Sequence, residues 1–228
     1  MSNRQKVCAI ITAAGSSERM GEVDKILALL GGKPVIVRVI DTFQRCALID
    51  RIVVVLRSEN IKACQALIFG QEWPKVAEVC PGGERRQDSV AAGLAHIRQC
   101  DWVVIHDGAR PLVTEDLISR GLEAARETGA AVAAVPVTDT IKIADKNMMV
   151  RRTPPRQSLW AVQTPQVFRF DIIKEAYQNI RDDVTDDASL VEKLGYKVKL
   201  YLGSYDNIKI TNPDDLALAE ALLEKRGG

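Results

Sequence analysis

Val7-Cys8-Ala9-Ile10-Ile11-Thr12 runs directly into Ala13-Ala14-Gly15-Ser16-Ser17-Glu18-Arg19-Met20-Gly21, and the fold is read outward from this stretch. Val7 to Thr12 is a short, almost unbroken apolar run closed by small residues. That is the mark of a strand covered on both faces, because a half-exposed strand alternates apolar with polar side chains. Comparable runs return at Ile52 to Leu56, Val76 to Val79, Trp102 to Ile105 and Ala131 to Val137. Helical spacing fills the intervals. Pro34 to Arg45 carries Val35, Val39, Ile40 and Phe43, with Pro34 expected in the first helical position. Asn60 to Phe69 follows, and then Asp88 to Arg98 with Val90, Leu94 and Ile97 in one stripe. Thr114 can cap a further helix that holds Glu115 and Asp116 in its first turn and ends near Gly129. Strands alternating with helices predict an α/β fold with a Rossmann-like, mostly parallel sheet and helices on both faces. Ligands of such sheets bind at the carboxyl ends of the strands, which directs attention to the loops after Ala14, Cys80, Ile105 and Val137.

The alternation breaks after Val137. Thr140 to Ala144 alternates, Asp145-Lys146-Asn147 is turn-like, and Met148 to Arg152 reads as a returning strand before Thr153-Pro154-Pro155. Residues 138–158 are therefore expected to form a β-hairpin arm inserted into a single domain spanning 1–228. A lone two-stranded hairpin is marginal in water, and pairing with the same arm of a second copy about a two-fold axis would bury its apolar side. A homodimer is expected on that ground. The chain then returns to helices near Phe170 to Ile180 and Ala188 to Leu194, a strand at Lys197 to Leu202, and a last helix opened by Asn212-Pro213-Asp214-Asp215.

Composition narrows the function. The 228 residues are 46% hydrophobic and 27% charged, ordinary for a globular domain, and carry a formal net charge of +1. There is no global positive field for holding a nucleic acid, so any anion must be gripped by a local cluster of cations. Cys8, Cys46, Cys64, Cys80 and Cys100 show no CxxC or Cys/His ligand spacing and read as buried thiols of a reducing compartment. The N-terminus has no signal-peptide core or transit segment and no stretch is apolar enough to span a membrane, so a cytoplasmic protein is expected.

Three loops offer chemistry. After the first strand, small residues allow backbone N–H groups to approach a phosphate, with Arg19 and Lys25 close behind in sequence. The pattern is neither a Walker A loop nor GxGxxG, and the latter absence argues against a nicotinamide oxidoreductase. After the third strand, Pro81-Gly82-Gly83-Glu84-Arg85-Arg86-Gln87-Asp88-Ser89 permits close approach to a flat ring, with Ser89 available to a base edge; a plain glycine turn capped by Asp88 is the competing reading. After the fourth, His106-Asp107-Gly108-Ala109-Arg110-Pro111 puts a carboxylate where Mg²⁺ could be shared with phosphate oxygens, and Arg110 beside it. His106 reads as a packed or hydrogen-bonded side chain rather than a base.

These strings, joined by Asp139-Thr140-Ile141-Lys142, Trp160-x-x-Gln163-Thr164-Pro165-Gln166, Thr185-Asp186-Asp187-Ala188 and Asn207-Ile208-Lys209-Ile210-Thr211, resemble the 2-C-methyl-D-erythritol 4-phosphate cytidylyltransferase family in order and over nearly the whole chain. The resemblance implies a nucleotide-diphospho-sugar transferase type of fold and transfer of CMP from CTP to a small polyol phosphate, a step of non-mevalonate isoprenoid synthesis, with Mg²⁺ or another divalent cation. It implies that Arg19, Lys25 and Lys209 are catalytic. Ala13, Ala14, Gly15, Gly83 and Ser89 would hold CTP. Asp107, Arg110, Thr140, Arg156 and Thr164 would face the acceptor, Asp107 also holding the metal, with Thr140 and Arg156 supplied across the dimer. Neither nucleic acid nor membrane is an expected partner. The sequence departs from the family pattern at Ile26 and Leu27, where Gln and then an aromatic or Leu are usual, and in the apolar, glycine-rich stretch Leu27 to Lys33. A ribitol 5-phosphate cytidylyltransferase would share the loops. A non-catalytic module on the same fold would be expected to lose Arg19, Lys25 or Asp107, and all three are present.

Overall fold

The computed structural model describes residues 4–15, 24–180 and 182–227. In chain order the elements are β1 (Val7–Ala13), β2 (Leu29–Leu30), β3 (Lys33–Pro34), α1 (Val35–Arg45), β4 (Arg51–Leu56), α2 (Ile61–Phe69), β5 (Val76–Pro81), α3 (Arg86–Ala95), β6 (Trp102–Asp107) and α4 (Glu115–Thr128). They continue with β7 (Ala130–Pro136), β8 (Ile143–Ala144), β9 (Val150–Arg152), β10 (Trp160–Arg169), α5 (Phe170–Asn179), α6 (Asp187–Lys193), β11 (Lys199–Leu202) and α7 (Pro213–Lys225). Seven strands make one sheet in the order β11-β7-β10-β6-β1-β4-β5. All neighbours run parallel except β10, which is antiparallel to both β6 and β7.

Burial explains the unbroken apolar runs. Every residue of β1 and β6 is buried, and so is β4 after Arg51. Alternate side chains point to opposite faces of a strand. Ala9, Ile11, Val54 and Val104 accordingly pack on one side with Phe43, Ile118 and Cys64 of α1, α4 and α2. Ile10, Val53, Val55, Val103 and Ile105 pack on the other with Val90 and Leu94 of α3, Ile172 of α5 and Leu190 of α6. The helix starts behave as expected: Leu117 N–H donates to Thr114 Oγ1 at 3.2 Å and Asp215 N–H to Asn212 Oδ1 at 2.9 Å, caps worth about 1 kcal/mol each.

Several expectations need correction. Pro34 is not inside α1 but ends β3, paired with Leu29. Asp88 is not the cap of α3; the helix begins at Arg86, and the Asp88 carboxylate reaches back to accept from the Arg85 N–H at 3.2 Å. No strand is expected from sequence between the arm and Phe170, yet β10 lies there. It is masked by Gln163, Thr164 and Gln166, polar residues that are nonetheless buried, and its register shifts between Val162 and Gln166. The arm pairs over a shorter ladder than expected, Ile143–Ala144 against Val150–Arg152. Its apolar side chains stand open, with Met148 83% exposed.

The unusual stretch after Lys25 also has a physical reason. Ile26 is 1% exposed within the main core, and its carbonyl accepts from the Ile36 N–H at 2.9 Å. Leu29–Leu30 turns back onto Lys33–Pro34 through Gly31 and Gly32, whose φ values of 52° and 75° favour glycine. Leu30 and Ala28 then pack with Ile210 and Ala219 in a small satellite core. The apolar residues serve this packing.

Helix α3 crosses the sheet closely. A Cβ on Gly93 would stand 2.7 Å from Ile10 Cγ2 and 3.1 Å from Val55 Cγ2, both buried and stiff. Gly93→Ala is expected to destabilise the fold by about 1–3 kcal/mol through overpacking. Urea unfolding with an unchanged midpoint would show that α3 can shift freely.

Candidate active site

β1 is followed in sequence by β4 and β5 on one side of it and then by β6 on the other. This places a topological switch at the carboxyl ends of β1 and β6, where open α/β sheets bind ligands. Register aligns the ends: Thr12 lies opposite Asp107, Ala13 opposite Leu56, and Leu56 opposite Pro81. The loops after β1, β5 and β6 therefore meet on one rim. Gly82 is required there, since a Cβ would lie 2.4 Å from Ala14 Cβ and 2.5 Å from Ser89 Oγ.

Two adjoining cavities open on this rim. Ala13, Ala14, Gly15, Lys25, Gly83 and Ser89 line the first. Arg110, Thr164, Gln163 and Thr185 line the second, of about 430 Å³. Arg86, Asp107 and Lys209 line both and form the partition between them.

Asp107 is the centre of this partition. Oδ1 accepts from Arg86 Nε at 3.0 Å; Oδ2 lies 2.8 Å from Lys209 Nζ and 3.7 Å from Arg110 Nε. Burial alone would raise its pKa, but Arg86, Lys209 and Arg110 overcome this and hold the carboxyl well below the usual carboxylate range. The backbone around it is fixed by a hydrogen-bond chain. The Asp107 N–H donates to Thr164 Oγ1 at 3.0 Å, Thr164 Oγ1 lies 3.1 Å from His106 Nδ1, and His106 Nε2 lies 3.1 Å from the Arg110 carbonyl. A neutral imidazole carrying its proton on Nε2 satisfies all three bonds: Nε2–H donates to the Arg110 carbonyl and Nδ1 accepts from the threonine hydroxyl. Burial pushes the His106 pKa down to about 4, so this neutral form is the native one. Asn207, fully buried, closes the frame: its side-chain Nδ2 donates to the Thr164 carbonyl at 2.7 Å and its backbone carbonyl accepts from Arg110 Nη1 at 2.7 Å. Lys209, two residues on, is thereby aimed at Asp107.

The structure thus brings together Ala13, Ala14, Gly15, Lys25, Gly83, Ser89, Asp107, Arg110, Thr164 and Lys209. Arg19 lies outside the described residues. Thr140 and Arg156 line neither cavity; they sit on and beside the arm, where Arg156 Nη1 donates to the Thr138 carbonyl at 2.8 Å. Sequence reasoning missed the roles of Arg86 and Asp187, although both stand within quoted strings. A second Arg opening a helix and a second Asp beside a helix cap read as solvated charges, and nothing in their spacing distinguishes them.

Among the described residues no group of three or more His, Cys, Asp or Glu side chains could hold a metal ion. The chemistry of the donor set is one carboxylate, Asp107, already faced by three cations. That does not fit an all-protein metal centre, and it fits a hard cation that arrives with phosphate oxygens as most of its ligands.

The chain matches the family described as IspD: 2-C-methyl-D-erythritol 4-phosphate cytidylyltransferase over residues 7–225. A protein of that name from Dehalococcoides mccartyi (strain ATCC BAA-2266 / KCTC 15142 / 195) is 51% identical over 221 residues, covering 97% of both chains. Another from Alkaliphilus oremlandii is 44% identical, covering 99% of this chain and 98% of its own. The crystal structure of 4-diphosphocytidyl-2C-methyl-D-erythritol synthase from Anaerococcus prevotii superposes with a TM-score of 0.87 at 34% identity, covering 97% of both chains.

The neutral histidine has a measurable consequence. Its folded pKa, about 4, lies below the ordinary value of 6.5, so between those values the native state binds fewer protons than the unfolded chain. Its contribution is complete above about pH 6.5 and is lost as the pH falls toward 4, a change on the order of 3 kcal/mol. Asp107 adds a further loss only below the ordinary carboxylate range. Urea unfolding at pH 7 and pH 4.5 should show a larger drop for the wild type than for His106→Gln. Equal drops would mean that His106 is not buried in its neutral form.

Proposed function

The chain belongs to the 2-C-methyl-D-erythritol 4-phosphate cytidylyltransferase family, and from that premise we propose that it transfers CMP from CTP to 2-C-methyl-D-erythritol 4-phosphate. The products are 4-diphosphocytidyl-2-C-methyl-D-erythritol and pyrophosphate, in a step of non-mevalonate isoprenoid precursor synthesis. One observation carries the reading: two cavities share a wall made of Arg86, Asp107 and Lys209, so a donor and an acceptor phosphate can meet across a single cationic partition.

The acceptor phosphate is already ionised near neutral pH, so its oxygen attacks the α-phosphorus without a protein base. The new P–O bond forms as the bond to the β-phosphate oxygen breaks, and pyrophosphate carries away the electron pair. The obstacles are repulsion between two polyanions and charge building on the transferring and leaving groups. Positioned cations address both. Lys25, on the first cavity, meets the triphosphate, and Arg19, outside the described residues, is assigned the same task by the family resemblance alone. Ala13, Ala14, Gly15, Gly83 and Ser89 hold the nucleoside, with small side chains admitting a base close to the backbone. Arg110 and Thr164 face the acceptor in the second cavity, and Lys209 bridges the two. Asp107 would share a divalent cation, Mg²⁺ being the natural choice, with the phosphate oxygens; when bound, such an ion neutralises phosphate charge.

Thr140 and Arg156 complete the acceptor site from a second copy in this reading. The open apolar side chains of Ile141, Ile143, Met148, Met149 and Val150 support a homodimer through the arm at residues 138–158. All five cysteines are unpaired thiols, which fits a cytoplasmic enzyme.

Pyrophosphate release from CTP is the direct test. It should require 2-C-methyl-D-erythritol 4-phosphate within a panel that includes ribitol 5-phosphate, and equal or better use of another polyol phosphate would reassign the acceptor. Lys25→Ala should lower turnover by about a hundredfold or more, the scale of one lost charge-stabilising donor; near-wild-type turnover would remove Lys25 from the mechanism. Arg156→Ala should weaken use of the acceptor while CTP binding, followed by calorimetry, survives. At an acceptor concentration too low for the Arg156→Ala enzyme to turn over, mixing Lys25→Ala and Arg156→Ala subunits should restore about a quarter of wild-type activity, because half of a random mixture is heterodimer with one intact site each. No recovery after verified subunit exchange would show that Arg156 serves its own subunit.

A further inference from the structure

Arg86 opens α3, and its guanidinium bridges two carboxylates from distant parts of the chain. Nε donates to Asp107 Oδ1 at 3.0 Å, at the end of β6; Nη1 lies 2.8 Å from Asp187 Oδ2, in the first turn of α6. Asp187 is 1% exposed, and its other oxygen accepts from the Tyr177 hydroxyl of α5 at 2.6 Å. Burial and the facing carboxylate raise the Tyr177 pKa, which keeps the hydroxyl a donor. A line of groups thus runs from Tyr177 through Asp187 and Arg86 to Asp107, joining four elements and ending on the partition between the two cavities.

The line has a directional effect. Arg86 occupies Oδ1 of Asp107, which leaves Oδ2 as the oxygen turned toward Lys209 and Arg110. Asp187 anchors the opposite prong of the guanidinium. Without that anchor, a cation lining both cavities would be free to turn from Asp107 and close on an incoming phosphate. A planar guanidinium can donate from Nε to Asp107 while keeping Nη1 in ion-pair range of Asp187, whose Oδ2 accepts no hydrogen bond among the described residues, and a lysine ammonium on a flexible stem cannot do this with the same orientation.

We propose that Asp187, with Tyr177, is a positioning residue for nucleotidyl transfer: it pins the Arg86 guanidinium so that the Asp107 carboxylate presents one fixed oxygen to the acceptor side of the partition. The inference rests on the proposed CMP transfer. Its rival is a purely structural ion pair tying α3 to α6. The two differ in what happens when both charges are removed together. Deleting one member of a buried pair leaves an uncompensated charge and destabilises the fold, whereas replacing both with apolar residues of similar size is often neutral for stability.

The experiment therefore compares Arg86→Met, Asp187→Leu and the double variant by thermal unfolding and by pyrophosphate release from CTP with 2-C-methyl-D-erythritol 4-phosphate as acceptor. Each single variant should lower both Tm and kcat. The double variant should regain Tm but keep kcat down about tenfold or more, the usual scale for lost outer positioning partners, with KM for CTP nearly unchanged. Arg86→Lys, which keeps the charge and loses the fork, should also stay down in kcat. Wild-type kcat in the double variant, or full rescue by lysine, would overturn the positioning role. Should the double variant fail to fold, Tyr177→Phe assayed well below its Tm decides the matter: a lowered kcat sustains the relay and an unchanged kcat ends it. Absence of turnover by the wild type in the same assay would instead refute the proposed reaction.

Discussion

A carboxylate taken out of water costs several kcal/mol unless its charge is met, and the organisation of this rim follows from how Asp107 is met. Its partners arrive from three places: Arg86 from the start of α3, Arg110 from the loop after β6, and Lys209 from the segment before α7. Each is far from the others in sequence. The electrostatic demand of one buried group therefore holds together segments that the sheet alone would not bring into register. Counting Asp187, three cations face two carboxylates, so the partition carries a surplus positive charge where phosphates would meet.

The frame behind that cluster is neutral, and this matters equally. Were His106 charged, a fourth cation would be buried against Arg86 and Arg110, and Nδ1 could no longer accept from Thr164. Burial of the imidazole enforces the neutral form. Thr164 belongs to β10, the antiparallel strand wedged between β6 and β7, so the departure from a purely parallel sheet supplies the hydroxyl that anchors the Asp107 backbone. Gln163 and Gln166 of the same strand reach Ser204 and Asp186, tying the loops that flank the second cavity to the sheet.

These same bonds explain what could be read from the sequence. β1, β4, β6 and β7 are continuous apolar runs because they are covered on both faces, and they are legible for that reason. β10 buries Gln163, Thr164 and Gln166, whose polar atoms find partners only in the folded chain; locally they read as loop. The placement of Asp107 and Arg110 was legible from the end of a strand, and that of Lys25 from the ordered motifs. Arg86 and Asp187 were not, because a charge in the first turn of a helix is ordinarily solvated, and the pairing that joins a buried Asp187 to a half-buried Arg86 closes across 101 residues of chain. Ile26 and Leu27 depart from the family pattern; both pack with the main core, and Ile26 also lines the first cavity. Thr140 and Arg156 belong to a different case: their proposed role depends on a second copy, which the pattern of one chain can motivate through an unsatisfied apolar arm but cannot position.

The pairing of cations with Asp107 before substrate arrives bears on catalysis as well as folding. A bare cluster of Arg and Lys would bind ground-state phosphates tightly, and tight uniform binding does not speed the chemical step. Here Arg86 is already claimed by two carboxylates and Lys209 by one, so an incoming phosphate must compete for them. As charge moves onto the leaving pyrophosphate, the attraction of the partition grows beyond what the reactants experience. Fixed donors can use that difference without reorganising during the reaction, and loosely held ones would spend part of it on reorientation. On the proposed reaction, the buried acids therefore restrain the cations until the transferring group reaches the state in which their charge has the most effect.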